Sequence, residues 1–194
     1  MAVTSTMLQL GTKAPDFTLR DTITGNLVSM SDYAGKKGLL VMFICNHCPY
    51  VQHVRNELAR FGADYQSRDL GIVAISSNDP DVYPEDSPTA MKDQARKFGY
   101  TFPYLFDDDQ SVAAAYTAMC TPDFFLFDDD RALVYRGRFD ESRPNSGLPV
   151  TGADLRAAVE ALLADHPIDE DQKPSMGCSI KWKDGNQPAY FRGG

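Results

Sequence analysis

The sequence reads Ile44-Cys45-Asn46-His47-Cys48-Pro49-Tyr50 at the point where an apolar run ends and an amphipathic run begins. Upstream, residues 38–44 are continuously apolar, which is typical of a strand buried on both faces of a parallel sheet. Downstream, apolar residues recur at helical spacing, which predicts a helix from the cysteine pair to about Gly62; they are Val51, Val54, Leu58 and Phe61. The two cysteines are therefore expected at a strand-to-helix junction.

The rest of the chain alternates strand and helix patterns. The patterns predict a hairpin in residues 14–33, a buried strand at 70–75, a helix from a Thr89 cap to Phe98, a strand at 102–106, a helix at 112–119, a hairpin of strands 124–127 and 132–139, and a helix at 151–165 capped by Thr151. Residues 83–88, rich in proline and acids, are expected to form irregular surface. This order predicts an α/β fold with a mixed central sheet flanked by helices.

The domain organisation is predicted from the length of the chain and from the positions of its prolines and glycines. At 194 residues the chain is expected to form one domain over residues 1–165. Residues 166–194 contain several prolines and glycines and are expected to form a C-terminal extension packed on that domain. The sequence leaves the oligomeric state open.

The composition excludes several classes of function. The formal net charge is −8 and the acidic residues are spread along the chain, which argues against nucleic acid and against an anionic membrane surface as partners. No apolar run approaches the roughly 18 residues of a membrane helix, and no leader pattern is present, so a cytoplasmic location is expected. Four cysteines are too few for a disulfide scaffold of this length, and a close pair then indicates redox or metal chemistry.

The cysteine pair itself predicts a redox dithiol. A thiolate is the attacking species, and a helix N-terminus favours it, so Cys45 is expected to attack and Cys48 to resolve. Asn46 and His47 lie between the cysteines and are expected to tune the redox potential; for His47, a position facing solvent is an equally weighted alternative. Two inert core thiols are a weaker interpretation. So is a metal site of Cys45, Cys48 and His47 or His53, because a structural zinc site needs four ligands.

Seven motifs resemble one family. They are Ala14-Pro15-Asp16-Phe17, Cys45 to Val51, Ser77-Asn78-Asp79-Pro80, Phe102-Pro103-Tyr104-Leu105, Cys120-Thr121-Pro122-Asp123, Tyr135-Arg136-Gly137, and Gly177 to Lys183. On these residues the chain resembles the thioredoxin-like superfamily. Within it, the chain is similar to the redoxin branch of alkyl hydroperoxide reductase and thiol-specific antioxidant proteins, and to its peroxiredoxin-like subgroup with a CxxC motif.

The resemblance implies a thioredoxin fold and a thiol–disulfide oxidoreductase, with disulfide isomerisation as a variant of the same chemistry. It implies a cis peptide at Thr121-Pro122 that faces the dithiol, with the preceding backbone able to pair with an extended substrate. The implied partners are protein or small-molecule thiols and disulfides, without a cofactor. No acidic residue occurs in residues 39–44, where thioredoxins bury an Asp, so the proton acceptor for Cys48 stays unassigned.

The sequence leaves open two alternative functions and the roles of two further cysteines. A peroxidase using Cys45 would need a Pro and a hydroxyl residue ahead of it, where this chain has Gly38 and Met42. A non-enzymatic metal-binding or redox-sensing protein is the second alternative. Cys120 is expected either near the site or in the core, and Cys178 either as a distant resolving thiol or, preferably, as a small buried residue in an edge strand.

Overall fold

The computed structural model describes residues 2–191. The ten strands are β1 (Ala2–Thr4), β2 (Thr18–Asp21), β3 (Leu27–Ser29), β4 (Gly38–Phe43), β5 (Leu70–Ser76), β6 (Tyr104–Phe106), β7 (Cys120–Thr121), β8 (Asp123–Phe127), β9 (Leu133–Gly137) and β10 (Met176–Ser179). The four helices are α1 (Pro49–Tyr65), α2 (Pro88–Phe98), α3 (Ser111–Ala115) and α4 (Ala153–Leu163). Two 3₁₀ turns are Met30–Tyr33 and Pro84–Asp86.

A seven-stranded mixed sheet forms the centre, in the order β3-β2-β6-β5-β4-β8-β9. Strand β4 lies parallel to β5 and antiparallel to β8, and β5 lies parallel to β6. Every residue of β4 is buried, as its continuous apolar run predicts. The predicted α/β fold with a mixed sheet and an N-terminal hairpin, β2 and β3, is confirmed.

The two faces of the sheet are covered by different parts of the chain. Leu40 and Met42 of β4 face a core that contains α1, α2 and α4, whereas Leu39, Val41 and Phe43 face a core that contains α3 and the C-terminal segment around Trp182. This division follows from the alternation of side chains along a strand. Each such fully buried side chain contributes roughly 2 kcal/mol of apolar transfer free energy.

The C-terminal segment adds a second, smaller sheet. Strand β10 lies between β1 and β7 and is antiparallel to both. The sequence analysis did not predict β1, because three residues with alternating exposure carry too short a pattern. The division between a domain at 1–165 and an extension from 166 stays a prediction, and its last residues, 192–194, lie outside the described residues.

Several predicted helix ends are wrong. Helix α1 continues past Gly62 to Tyr65. A Cβ on Gly62 would lie 2.7 Å from Cδ1 of Phe102, so this glycine permits close packing and does not end the helix. Helix α3 ends at Ala115 and not at residue 119, because Thr117 adopts a φ of 49°.

Two predicted helix caps are also wrong. The N-cap of α2 is Ser87, whose side chain accepts from the backbone N–H of Ala90, and not Thr89. The N-cap of α4 is Gly152, with a φ of 66°, and not Thr151. The backbone N–H groups of both residues 151 and 152 donate to the Asp140 carboxylate, which fixes that turn from outside the helix.

Among residues 2–191, no helix is long and apolar enough to cross a membrane.

Candidate active site

The cysteine pair lies where β4 leads into α1, as predicted, but the two thiols occupy other positions than expected. Helix α1 begins at Pro49 and its N-cap is Cys48, so the expectation that Cys45 sits at the helix start is wrong by three residues. Both cysteines have 0% relative exposure, so Cys48 is not the less exposed of the two. Because β4 and β5 are parallel, the loops after them meet at one edge of the sheet, where both cysteines lie.

The thiol of Cys45 contacts the side chain of Thr121. Its Sγ is 3.2 Å from the Thr121 hydroxyl. Burial raises the pKa of the Cys45 thiol well above its ordinary value, and the neighbouring Cys48 and the charge of Asp86 raise it further. Cys45 is therefore held as a neutral thiol at neutral pH.

Cys48 lies at the helix start and is the more acidic thiol. The hydrogen bond with Cys45 lowers the pKa of Cys48 to about 5, against the opposing effect of burial. Contacts with the side chain of Cys178 and with the backbone of Val51, in the first turn of α1, lower it further. When protonated, Cys48 Sγ donates to the carbonyl of Thr121 at 3.1 Å. The pair thus combines a thiolate at Cys48 with a neutral thiol at Cys45.

The Thr121–Pro122 peptide bond is cis, as the resemblance implies. Thr121 uses both its hydroxyl, towards Cys45, and its carbonyl, towards Cys48. The neighbouring strand β10 pairs with β7, with Cys178 opposite Thr121. The edge that was expected to receive an extended substrate is therefore occupied by the chain's own C-terminal strand on that side.

His47 makes an ion pair and does not face open solvent. Its Nδ1 lies 2.5 Å from Oδ2 of Asp86, and its ring stacks on Tyr83 with centroids 4.7 Å apart. The hydrogen bond with Asp86 raises the pKa of His47 above its ordinary value, against the effect of burial. Burial alone would raise the pKa of Asp86, but the hydrogen bonds from His47 and Asn78 lower it. Both shifts favour the charged forms, so the two side chains form an ion pair.

Asp86 is the site residue that the sequence analysis missed. It was assigned to irregular surface, yet it is fully buried. Its Oδ1 accepts from the backbone N–H groups of Asn46 and His47 at 2.7 and 3.1 Å, and its Oδ2 accepts from Asn78 at 2.8 Å. One carboxylate therefore fixes the backbone between the two cysteines.

Asn46 has a structural part in the same loop. Its side-chain amide donates to the backbone carbonyl of Glu85 at 2.8 Å, and its Oδ1 accepts from the Tyr104 hydroxyl at 3.1 Å. Asn46 thus ties the cysteine loop to the segment that carries Asp86. A direct role in tuning the redox potential stays a prediction.

A metal ion fits this arrangement poorly. The ligand atoms of Cys45, His47 and Asp86 lie within 4.8 Å of one another. However, each oxygen of Asp86 already accepts two hydrogen bonds from the protein. His53, the alternative ligand in the sequence analysis, has its Nε2 3.0 Å from the Ser142 hydroxyl instead.

The other two cysteines differ in their relation to the pair. All four are free thiols. Cys120 is fully buried and its Sγ lies 3.6 Å from the Pro122 carbonyl; burial raises its pKa. Cys178 is partly buried and contacts Cys48. The prediction of an edge strand for Cys178 is wrong, because β10 is the middle strand of its sheet.

A second buried carboxyl group follows the proline. Asp123 is in β8, and burial raises its pKa to about 8. Its Oδ1 accepts no hydrogen bond from the described residues, and its Oδ2 lies 3.5 Å from the backbone N–H of Met119. Burial and the charge of Asp123 raise the pKa of Cys120, and the proton acceptor for Cys48 stays unassigned.

Comparison with known proteins identifies the family. Residues 10–136 match the AhpC/TSA family. The chain belongs to this family. The predicted redoxin branch is confirmed. The narrower subgroup defined by a CxxC motif stays a prediction.

Among the relatives of this chain, some are named thiol-disulfide oxidoreductases and others are named alkyl hydroperoxide reductases. The chain is 31% identical over 126 residues to the thiol-disulfide oxidoreductase ResA of Geobacillus kaustophilus, covering 63% of this chain and 66% of ResA, slightly less than two thirds of that relative. It is 31% identical over 136 residues to the alkyl hydroperoxide reductase E of Mycobacterium bovis, covering 69% of this chain and 78% of that protein.

Solved structures agree with the fold. An uncharacterised conserved protein from Geobacillus kaustophilus is 54% identical, with a TM-score of 0.93 over 95% of this chain and 97% of that chain. The thioredoxin domain of a thiol-disulfide oxidoreductase from Bacteroides vulgatus is 22% identical, with a TM-score of 0.56 over 70% of this chain and 90% of that chain. The second likeness concerns the fold alone, and it confirms the predicted thioredoxin fold.

Proposed function

We propose that the chain is a thiol–disulfide oxidoreductase that cycles Cys45 and Cys48 between a dithiol and a disulfide. The observation that carries this proposal is geometric: the side chains of Cys45 and Cys48 both contact Thr121 at the strand-to-helix junction, and Cys48 is the N-cap of α1. A thiolate attacks at neutral pH and a nearby thiol resolves the mixed disulfide, which is the division of work that exchange requires.

In this proposal the roles of the two cysteines are the reverse of those expected from the sequence, because the N-cap of α1 is Cys48 and not Cys45. Cys48 thiolate attacks one sulfur of a substrate disulfide, the substrate S–S bond breaks, and the other half leaves as a thiolate. Cys45 then gives up its proton, which the departing thiolate accepts, and attacks Cys48 Sγ. The Cys45–Cys48 bond forms, the second half of the substrate leaves, and two electrons have passed to the substrate.

The substrates are disulfides and thiols of proteins or small molecules, and isomerisation follows if the mixed disulfide is resolved by the substrate's own second thiol. The mechanism requires no cofactor and no metal. The cytoplasmic location stays a prediction, as does the absence of nucleic acid and membrane partners.

The test is reduction of insulin or of a glutathione mixed disulfide with dithiothreitol as the electron donor. We expect catalytic turnover by the full chain and loss of turnover in Cys48→Ser and Cys45→Ser. Cys120→Ser is the matched control, since it removes a buried thiol outside the pair, and it should retain turnover. A wild-type rate no higher than that of Cys48→Ser would refute the proposal.

A thiol peroxidase is the second candidate, favoured by the Thr121 hydroxyl at the site. The sequence lacks a hydroxyl residue ahead of the cysteine, but β7 supplies the Thr121 hydroxyl, which lies 3.2 Å from Sγ of Cys45, the thiol that would resolve the sulfenic acid. Cys48 thiolate would attack a hydroperoxide, break the O–O bond and become a sulfenic acid, while the alcohol leaves; Cys45 would then release water and form the disulfide. Peroxide consumption with an added thiol donor, lost in Cys48→Ser, tests it.

A further inference from the structure

The C-terminal strand brings a third thiol to the redox pair. Cys178 of β10 lies opposite Thr121 in the strand register, and Cys48 Sγ lies 3.1 Å from the carbonyl oxygen of that same threonine. The Cys178 side chain packs on the apolar core that includes Cys45 and Cys48, and it lies close enough to Cys48 to lower the pKa of that thiol. Three thiols therefore surround Thr121. Cys45 contacts its hydroxyl, Cys48 contacts its carbonyl, and Cys178 lies opposite it on the paired strand.

The close approach of β10 depends on Gly177. A Cβ at this position would lie 1.9 Å from the carbonyl oxygen of Thr121, a distance that no real Cβ contact reaches. Only glycine therefore permits the strand to lie this near to the Thr121–Pro122 loop. The next residue along the strand is Cys178, which this approach places against Cys48.

Burial distinguishes the three thiols. Cys45 and Cys48 have no exposed surface, whereas Cys178 is only partly buried. A thiol from another molecule must reach a sulfur of a disulfide in order to exchange with it. A disulfide that includes Cys178 would thus be more accessible to external thiols than a Cys45–Cys48 disulfide.

We propose that Cys178 is an internal exchange partner of Cys48, which moves the disulfide from the buried Cys45–Cys48 position to a more accessible Cys48–Cys178 position. This inference rests on the proposed function, which supplies the Cys45–Cys48 disulfide. Cys178 loses its proton and attacks Cys48 Sγ; the Cys48–Cys178 bond forms, the Cys45–Cys48 bond breaks, and Cys45 leaves as a thiolate that takes up a proton. Both electrons stay within the chain.

An external thiol then completes the exchange. Its thiolate attacks Cys178 Sγ, and Cys48 leaves as a thiolate. A second external thiol attacks the mixed disulfide, so that two external thiols become one disulfide and the protein regains all its thiols. The acidity of Cys48 suits this step, because a thiol of low pKa is the better leaving group.

The test uses the full chain with Cys45→Ser, which leaves Cys178 as the thiol in contact with Cys48. The variant is oxidised with diamide, alkylated and mapped by peptide mass spectrometry. We expect a monomer with a Cys48–Cys178 disulfide and Cys120 alkylated. If Cys178 is alkylated while Cys48 remains free, joins Cys120 or forms intermolecular dimers, the inference is overturned.

The matched control moves the thiol by one residue. Cys45→Ser combined with Cys178→Ser and Ser179→Cys presents the third thiol on the opposite face of β10, since side chains alternate along a strand. We expect loss of the disulfide to Cys48 in this variant, in which residue 179 lies opposite Cys120 instead; a disulfide between Cys48 and residue 179 would mean that the described geometry does not select the partner of Cys48. If the wild type fails to reduce insulin, the proposed function fails; if it succeeds and Cys48–Cys178 never forms, only this inference fails.

Discussion

The two cysteines are three residues apart in sequence, yet different regions of the chain hold them. The Cys45 side is fixed by the loop after β5, in which Asp86 binds the backbone of Asn46 and His47. The Cys48 side is formed by the first turn of α1 and by the C-terminal strand with Cys178. Burial, the neighbouring Cys48 and the negative charge of Asp86 raise the pKa of Cys45, whereas the contact with Cys45 lowers the pKa of Cys48. The asymmetry of the pair is therefore set by its surroundings and not by the CxxC motif alone.

The largest expected effect comes from removing each thiol in turn. Cys48→Ser should abolish attack on a substrate disulfide, because the remaining Cys45 is buried and neutral. Cys45→Ser combined with Cys178→Ser should still attack and should accumulate a mixed disulfide with glutathione, because neither neighbouring thiol remains to resolve it. Intact-mass spectrometry after incubation with glutathione disulfide measures both; an adduct on Cys48→Ser but not on the double variant would contradict the assigned roles.

Asp86→Asn should disrupt the Cys45 side. The amide cannot accept from two backbone N–H groups and still satisfy His47 and Asn78, and the His47 charge loses its buried partner. We expect a loss of about 3 kcal/mol in the free energy of unfolding, measured by urea denaturation. The exposed neighbour provides the control, since Glu85→Gln changes the same charge without these contacts and should be close to neutral. Equal effects of the two substitutions would refute the role of Asp86.

Gly177→Ala should disrupt the Cys48 side. The new methyl group would meet the carbonyl of Thr121, so β10 must move away. We expect a loss of about 1–3 kcal/mol, as for other overpacked sites, and less Cys48–Cys178 disulfide on oxidation of Cys45→Ser. Ser179→Ala in the same strand introduces no such clash and is the control. Unchanged stability with an unchanged disulfide yield would show that the close approach of β10 is not required.

The smallest expected effect is a pH dependence of the His47–Asp86 pair. The pKa of His47 is raised on folding, so its contribution to stability is present below about pH 6.5 and is lost as pH rises through the folded pKa. The pKa of Asp86 is lowered, so its contribution is present above about pH 3.9 and is lost as pH falls through the folded pKa. His47→Gln should remove about 1 kcal/mol of the decline at the alkaline end. Unfolding curves from pH 5 to 9 measure it, and an identical decline in both proteins would contradict the ion pair.

The sequence predicts the fold and the position of the cysteine pair because both depend on local patterns. The apolar run of β4 and the helical spacing after Pro49 are each visible in short stretches. Asp86 is different: its segment resembles exposed surface, and its burial follows from the meeting of two loops at one sheet edge. The contact between Cys178 and Cys48 likewise depends on a pairing of strands far apart in sequence.

The exact ends of helices are also poorly predicted from the sequence, because contacts with distant residues decide them. Gly62 is a common helix-ending residue type, but a side chain from residue 102 decides its role here. The helix starts at Pro49, only a few residues later than predicted. This difference matters for the reaction, because it places the helix N-terminus at Cys48 and not at Cys45. Local propensity predicts that a helix starts near the pair, and tertiary packing selects which thiol it contacts.

The central claim is that Cys48, and not Cys45, is the thiolate of the pair, and titration of the two thiols tests it most directly. Cysteine labelled with ¹³C at Cβ would be followed by NMR from pH 4 to 11 in the reduced protein, with Cys45→Ser and Cys48→Ser used for assignment. We expect Cys48 to titrate with a pKa of about 5 and Cys45 to remain protonated well above its ordinary range. The opposite order, with Cys45 titrating first, would contradict the account.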